Sequence, residues 1–139
     1  MSSPTQLTLK RLRDWGYTAD VVEQWVSFHG REDGDGPTGV RRDLFGIGDV
    51  MACKADEGIL LVQCTSANNA GARLKKVQGT KEILAWLRAG GKFEVWGWFK
   101  KSGKWNVNRF EVLEDGIDPR EVEPARKRNK KSKQPTLFA

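Results

Sequence analysis

The stretch from Arg42 to Lys76, RDLFGIGDVMACKADEGILLVQCTSANNAGARLKK, constrains the fold more than any other part of the chain. Two short apolar runs, GDVMAC and ILLVQCTS, flank the turn sequence KADEG, and a polar, basic segment follows at once. Apolar runs of this length bounded by turn residues read as strands, so the pair reads as a hairpin that feeds directly into a helix. Side chains alternate along a strand, which puts Leu61, Gln63 and Thr65 on one face and Val62 and Cys64 on the other. The hairpin sets Asp49, at the head of its first strand, against the end of the second, near Gln63 and Thr65. Arg73, Lys75 and Lys76 then lie on the next helix. A carboxylate, an amide oxygen and a hydroxyl beside cationic groups form the kind of donor set that metal-assisted phosphodiester chemistry uses.

The flanking segments follow simple local rules. Ser3-Pro4 is a helix start, serine as the cap and proline at the first helical position, and the helix runs through Trp15 to a stop at Gly16. DVVEQWVSF reads as a single strand, with Glu23 sharing a face with Val21 and Trp25. HGREDGDGPTG, with four glycines and a proline, reads as a loop. Ser66 and Thr80 are candidate caps for two helices, over 67–78 and over KEILAWLRAGG, the second ending at Gly90-Gly91. FEVWGWFKK and KWNVNRFEVLE read as strands joined at Ser102-Gly103. Alternation puts Phe93, Val95, Gly97 and Phe99 on one face of the first and Glu94, Trp96 and Trp98 on the other. The passage from ILLVQCTS through the helices to FEVWGWF is a crossover, expected to be right-handed between parallel strands. The expected architecture is α/β, with a mixed sheet of about five strands flanked by helices.

Composition narrows the class. With 139 residues, 38% of them hydrophobic, and six tryptophans, one folded domain is expected over 1–117, followed by a polar tail over 118–139. No apolar run approaches membrane-spanning length and no signal-peptide core precedes Trp15, so the expected setting is soluble and intracellular, in the cytoplasm. Cys53 and Cys64 are expected as reduced core thiols, and one histidine with two distant cysteines gives no zinc spacing. Six of the 24 basic residues (Arg126, Lys127, Arg128, Lys130, Lys131 and Lys133) lie in ARKRNKKSK, leaving 18 basic and 18 acidic residues elsewhere. The net charge of +6 therefore resides in the tail. Such a run either contacts phosphate, with strong salt dependence, or serves solubility.

The ordered elements, with an aspartate heading the second strand, resemble the PD-(D/E)xK nuclease superfamily. The closer likeness is to its small Holliday-junction-resolvase-like members found in phages. The resemblance covers roughly residues 5 to 113. Gly48-Asp49 occupies the PD position, and Gln63-Cys64-Thr65 occupies the (D/E)xK position, where glutamine replaces the acid and threonine the lysine. The resemblance implies a restriction-endonuclease-like fold and a magnesium-dependent endonuclease (manganese substituting) acting on branched or structured DNA, working as a homodimer. It implies a metal site built by Asp49 with Asp43 or Glu23, plus Gln63. Arg73 or Lys75, with Lys76 a further candidate, would take the place of the missing lysine near Thr65. Asn68 and Asn69, at a helix start, can donate to phosphate. The alternative reading is a non-catalytic DNA- or clamp-binding adaptor or inhibitor on the same fold. In that case Asp43 caps a turn, Asp49 accepts backbone N–H groups at a strand start, Gln63 is a structural bridge and the helix cations are a solvated face.

The last six residues, QPTLFA, carry a separate signal. Gln134, Leu137 and Phe138 have the spacing of the bacterial sliding-clamp-binding motif, which they resemble. A disordered peptide of this kind places two apolar side chains into a preformed pocket while glutamine bonds at the rim.

Overall fold

A computed structural model describes residues 2–22, 24–27 and 39–120. The chain begins with helix α1 (Pro4–Asp14), in which Ser3 Oγ accepts from the backbone N–H of Gln6 and proline opens the first turn, as expected from Ser3-Pro4. Strands β1 (Thr18–Val21), β2 (Gln24–Ser27) and β3 (Gly39–Arg42) follow, then the hairpin β4 (Val50–Lys54) and β5 (Gly58–Ser66). A single 3₁₀ turn (Ala67–Asn69) leads into α2 (Ala70–Gln78) and α3 (Lys81–Arg88). The described residues end on β6 (Lys92–Lys101), β7 (Lys104–Leu113) and β8 (Gly116–Arg120). The architecture is α/β: a six-stranded mixed sheet in the order β1-β4-β5-β6-β7-β8, with a separate two-stranded sheet, β2-β3.

Both connections expected around the central strands are present. β4 and β5 pair antiparallel with Val50 opposite Val62, and β5 pairs in parallel with β6 from Leu60↔Lys92 to Ser66↔Trp98. Because the parallel strands require a long crossover, α2 and α3 lie across one face, over Leu61, Phe93, Val95 and Val112. Helix α1 covers the opposite face, over Leu60, Val62, Trp96 and Trp98. Gly97 lets the crossover start close to the sheet. A Cβ there would lie 3.0 Å from Ala67 Cα and 3.1 Å from Ala70 Cβ.

Four details differ from the sequence reading. DVVEQWVSF is not one strand: Val22 N–H donates to Asp49 O, and the chain passes from β1 in the main sheet to β2 in the small one. Glu23 itself, like most of the expected loop, lies outside the described residues. The sheet has six strands rather than about five, because β8 runs through Asp118 and Pro119 to Arg120. Proline is tolerated there because β8 is an edge strand. The helix expected over 67–78 starts with a 3₁₀ turn, and neither Ser66 nor Thr80 caps with its side chain; Thr80 Oγ1 instead donates back to Lys76 O.

Under α1 the core contains an ion pair. Glu94 and Arg109, opposite neighbours-but-one across β6 and β7, are 2% and 7% exposed and meet at 2.9 Å. Glu94 Oε1 also accepts from Trp96 Nε1 at 2.7 Å, and the Arg109 guanidinium lies 4.8 Å from the Trp96 ring and 5.0 Å from Trp15. Trp98 Nε1 donates to Thr8 Oγ1, which ties the same aromatic layer to α1. A buried pair whose partners are both satisfied contributes little net stability, but removing one partner strands a charge in the core. Glu94→Ala is therefore expected to cost about 3–5 kcal/mol in urea unfolding. Replacing Glu94 and Arg109 together with apolar residues of similar size should recover most of that loss.

Candidate functional site

The site begins with a tight turn. Leu44 and Gly48 form an isolated antiparallel bridge, closed by Phe45 and Gly46 at φ of 57° and 78°. Positive φ is ordinary for glycine and costly for phenylalanine, so the turn holds Phe45 against its preference. Phe45 is exposed and meets the Trp86 ring of α3 at 6.2 Å. Asp43 and Asp49 immediately flank the bridged pair, so the turn brings the two aspartates to its mouth. The spacing in RDLFGIGD carried that arrangement, but only the turn type reveals it.

Asp49 then docks on β5. Its N–H donates to Val62 O at 2.8 Å, and its Oδ2 accepts the Cys64 N–H at 2.7 Å and Gln63 Nε2 at 3.4 Å. The expected meeting of Asp49 with Gln63 is thus present. The backbone-acceptor role of Asp49 is present as well, and the two coexist on one oxygen. Gln63 is 4% exposed and Thr65 6%. Both lie on the face covered by α2, with Thr65 opposite Gly97 under the start of the crossover. Thr65 is neutral and buried, and so supplies no cationic group.

The helix residues divide. Ala70, Leu74 and Val77 make the stripe that packs on the sheet, and half-buried Arg73 flanks it. Lys75 and Lys76 are exposed, and Lys75 lies on the far side of the helix from that stripe. Asn68 and Asn69 are exposed beyond the end of β5. Arg73 is therefore better placed than Lys75 to serve the sheet side. Arg126, Lys127, Arg128, Lys130, Lys131 and Lys133 lie outside the described residues, as do Gln134, Leu137 and Phe138.

On the α1 side, Cys64 packs against the aromatic layer. Burial pushes its thiol up to about 12 from the ordinary 9.0. Hydrogen bonds with Thr8 and Thr5 oppose that rise, and the negative charges of Asp49 and Asp43 add to it.

The donor set suits a hard cation in part. Magnesium takes oxygen ligands, keeps several waters and is commonly held by one or two carboxylates together with substrate phosphate. Asp43, Asp49 and Gln63 are the residues that would hold it, and as placed Gln63 directs its amide nitrogen, not its oxygen, to Asp49. Among the described residues no group of three or more His, Cys, Asp or Glu side chains assembles a fuller cage. No helix among them is long and apolar enough to cross a membrane.

Comparison with known proteins adds no relative. No family model, curated protein or solved structure matches the chain.

The thiols provide a direct check on this environment. Cys53, expected as a core thiol, is instead exposed, and it should react with a thiol reagent at pH 8 while Cys64 reacts only after unfolding, as mass spectrometry of labelled peptides would show. The raised Cys64 value means that the unfolded chain loses this proton first. Its contribution to stability is complete below about pH 9 and declines toward pH 12, so urea midpoints should fall over that interval.

Proposed function

We propose that this chain is a magnesium-dependent endonuclease on a restriction-endonuclease-like sheet, cutting branched or otherwise structured DNA, with manganese able to substitute. The observation that supports the reading is Asp49 meeting Gln63 in the carboxyl-terminal half of β5, with Asp43 on the other arm of the Leu44–Gly48 turn. In open α/β sheets, ligands collect beyond the carboxyl ends of the parallel strands, and β5 and β6 are the parallel pair here.

Asp49, Asp43 and Gln63 would hold the magnesium ion, which would supply Lewis-acid stabilisation of the phosphate and a more acidic water. The protein's own part is positional. The Cys64 N–H and Gln63 amide fix the Asp49 carboxylate, and Asp43 enters the Leu44–Gly48 turn from its other arm. Glu23 is the third acidic candidate from the sequence. Arg73, at the edge of α2, is the cation proposed to face the phosphate, with Asn68 and Asn69 donating to the backbone of the DNA and Lys75 and Lys76 adding longer-range attraction. Clamp binding through Gln134, Leu137 and Phe138, with the basic segment lying along the duplex, would raise the local concentration of enzyme on DNA. A homodimer fits a two-fold junction.

A second reading is favoured by Gln63 and buried Thr65, which leave the site with less charge than a catalytic acid and lysine would give. It is a non-catalytic adaptor or inhibitor that binds DNA or the clamp. One assay separates the two. Labelled four-way junction, flap, nicked and plain duplex are incubated with the protein and magnesium or manganese, beside Asp49→Ala. Cleavage of a branched substrate that the variant lacks is expected; binding without cutting by the wild type would favour the adaptor. Deleting the last six residues should abolish retention on an immobilised sliding clamp while leaving cleavage of free junctions intact.

A further inference from the structure

The β6–β7 hairpin carries a charge arrangement that the fold does not use. β6 continues past its last pairing with β5, Ser66↔Trp98, through Phe99, Lys100 and Lys101. β7 returns from Lys104, so the hairpin end stands beyond the rim of the parallel pair. Gln63 lies level with Val95, six residues before Lys101, so the tip stands about 20 Å past the Gln63 level, on the Asp49 side of the sheet. Its sequence, KKSGKW, holds three lysines and no acid, and all three lysines are exposed.

The energetics of the tip point outward. Lys101 and Lys104 are direct cross-strand partners, an arrangement that destabilises a hairpin when the charges are alike. Among the described residues neither has an acidic partner, whereas Lys10, Arg13, Arg88, Lys92 and Arg109 each have one. Lys100 is held 5.3 Å above the ring of half-buried Trp105, its own cross-strand partner. Ser102 and Gly103, at φ of 54° and 76°, form the tight primed turn that suits a hairpin, so the lysines are mounted on a short, stiff arm.

We infer that this hairpin is a phosphate-tracking arm: Lys100, Lys101 and Lys104 grip the backbone of a nucleic acid whose reacting phosphate lies at Asp49. An anionic backbone relieves the Lys101–Lys104 repulsion, and a preorganised arm loses little conformational entropy when it binds. The inference rests on the nuclease reading for the position of the reacting phosphate and deepens it by naming a second contact region on the same rim.

The test uses the full chain, comparing wild type with the Lys100→Gln/Lys101→Gln/Lys104→Gln variant and with the matching triple Lys→Arg variant. Affinity for a labelled four-way junction is measured by anisotropy across a salt series, and cleavage is read in parallel with Asp49→Ala. The glutamine variant should unfold at an unchanged or slightly higher temperature, bind about tenfold or more weakly at low salt, and show a log–log salt slope shallower by about 2 to 3. The arginine variant should retain wild-type slope. An unchanged slope in the glutamine variant overturns the arm even where wild type cuts DNA. A reduced slope with no cutting by wild type sinks the nuclease reading and leaves the arm standing. Loss of binding to phosphatidylserine vesicles with DNA affinity intact assigns the lysines to a membrane surface and also overturns the proposal.

Discussion

Parallel pairing of β5 with β6 is the constraint from which the rest of this structure follows. Antiparallel neighbours can be joined by a two-residue turn, but parallel ones need a crossover, and here that crossover is α2 and α3. Its helices bury one face of the sheet and leave the other to α1, so both strands are covered on both sides. That explains why ILLVQCTS and FEVWGWF are nearly continuous apolar runs rather than alternating ones. It also explains Gly97, since the crossover must rise from β5 and pass over β6 within two or three residues, where Ala67 leaves no room for a side chain.

Two carboxylates buried or half-buried in this sheet have been given different surroundings. Glu94 lies under α1 against Arg109, with an indole N–H on the same oxygen, and every feature of its position serves a closed, compensated core. Asp49 precedes β4, one residue past the strained Leu44–Gly48 turn, and its carboxylate accepts the Cys64 N–H and the Gln63 amide N–H. A carboxylate matched with a guanidinium has its charge already balanced. The Glu94–Arg109 pair therefore belongs to the architecture of the core.

Much of this was legible in the sequence, for reasons that can be stated residue by residue. Period-two alternation and the KADEG turn were sufficient for the β4–β5 hairpin, and hence for the meeting of Asp49 with Gln63. Ser102-Gly103 was sufficient for the second hairpin, and the intervening helices for the parallel step. What escaped depended on register or on contacts between distant segments. Glu94 could be placed on the face of Trp96, but Arg109 could not be matched to it without knowing which residues of β6 and β7 lie opposite one another. That β1 belongs to the main sheet and β2 to the small one depends on pairings with β4 and β3, the first extended by the Val22–Asp49 backbone bond across 27 residues. Strand β8 contains a proline, which argues against a strand except at an edge, and nothing local says that an edge is available.

The same limit bears on how the charge was read. Counting residues assigns the net positive charge to the tail and leaves the folded body neutral, which is correct as a sum and silent about distribution. In the fold, neutrality is reached unevenly: Arg109, Arg88 and Lys92 sit on acids, while Lys101 faces Lys104 across a rigid turn. Coulomb attraction to a polyanion depends on the local field within roughly a Debye length, about 8–10 Å at ordinary ionic strength, and not on the sum over the whole chain. A body of zero net charge can therefore present a strongly basic edge. That edge lies at the same end of the sheet as Asp49.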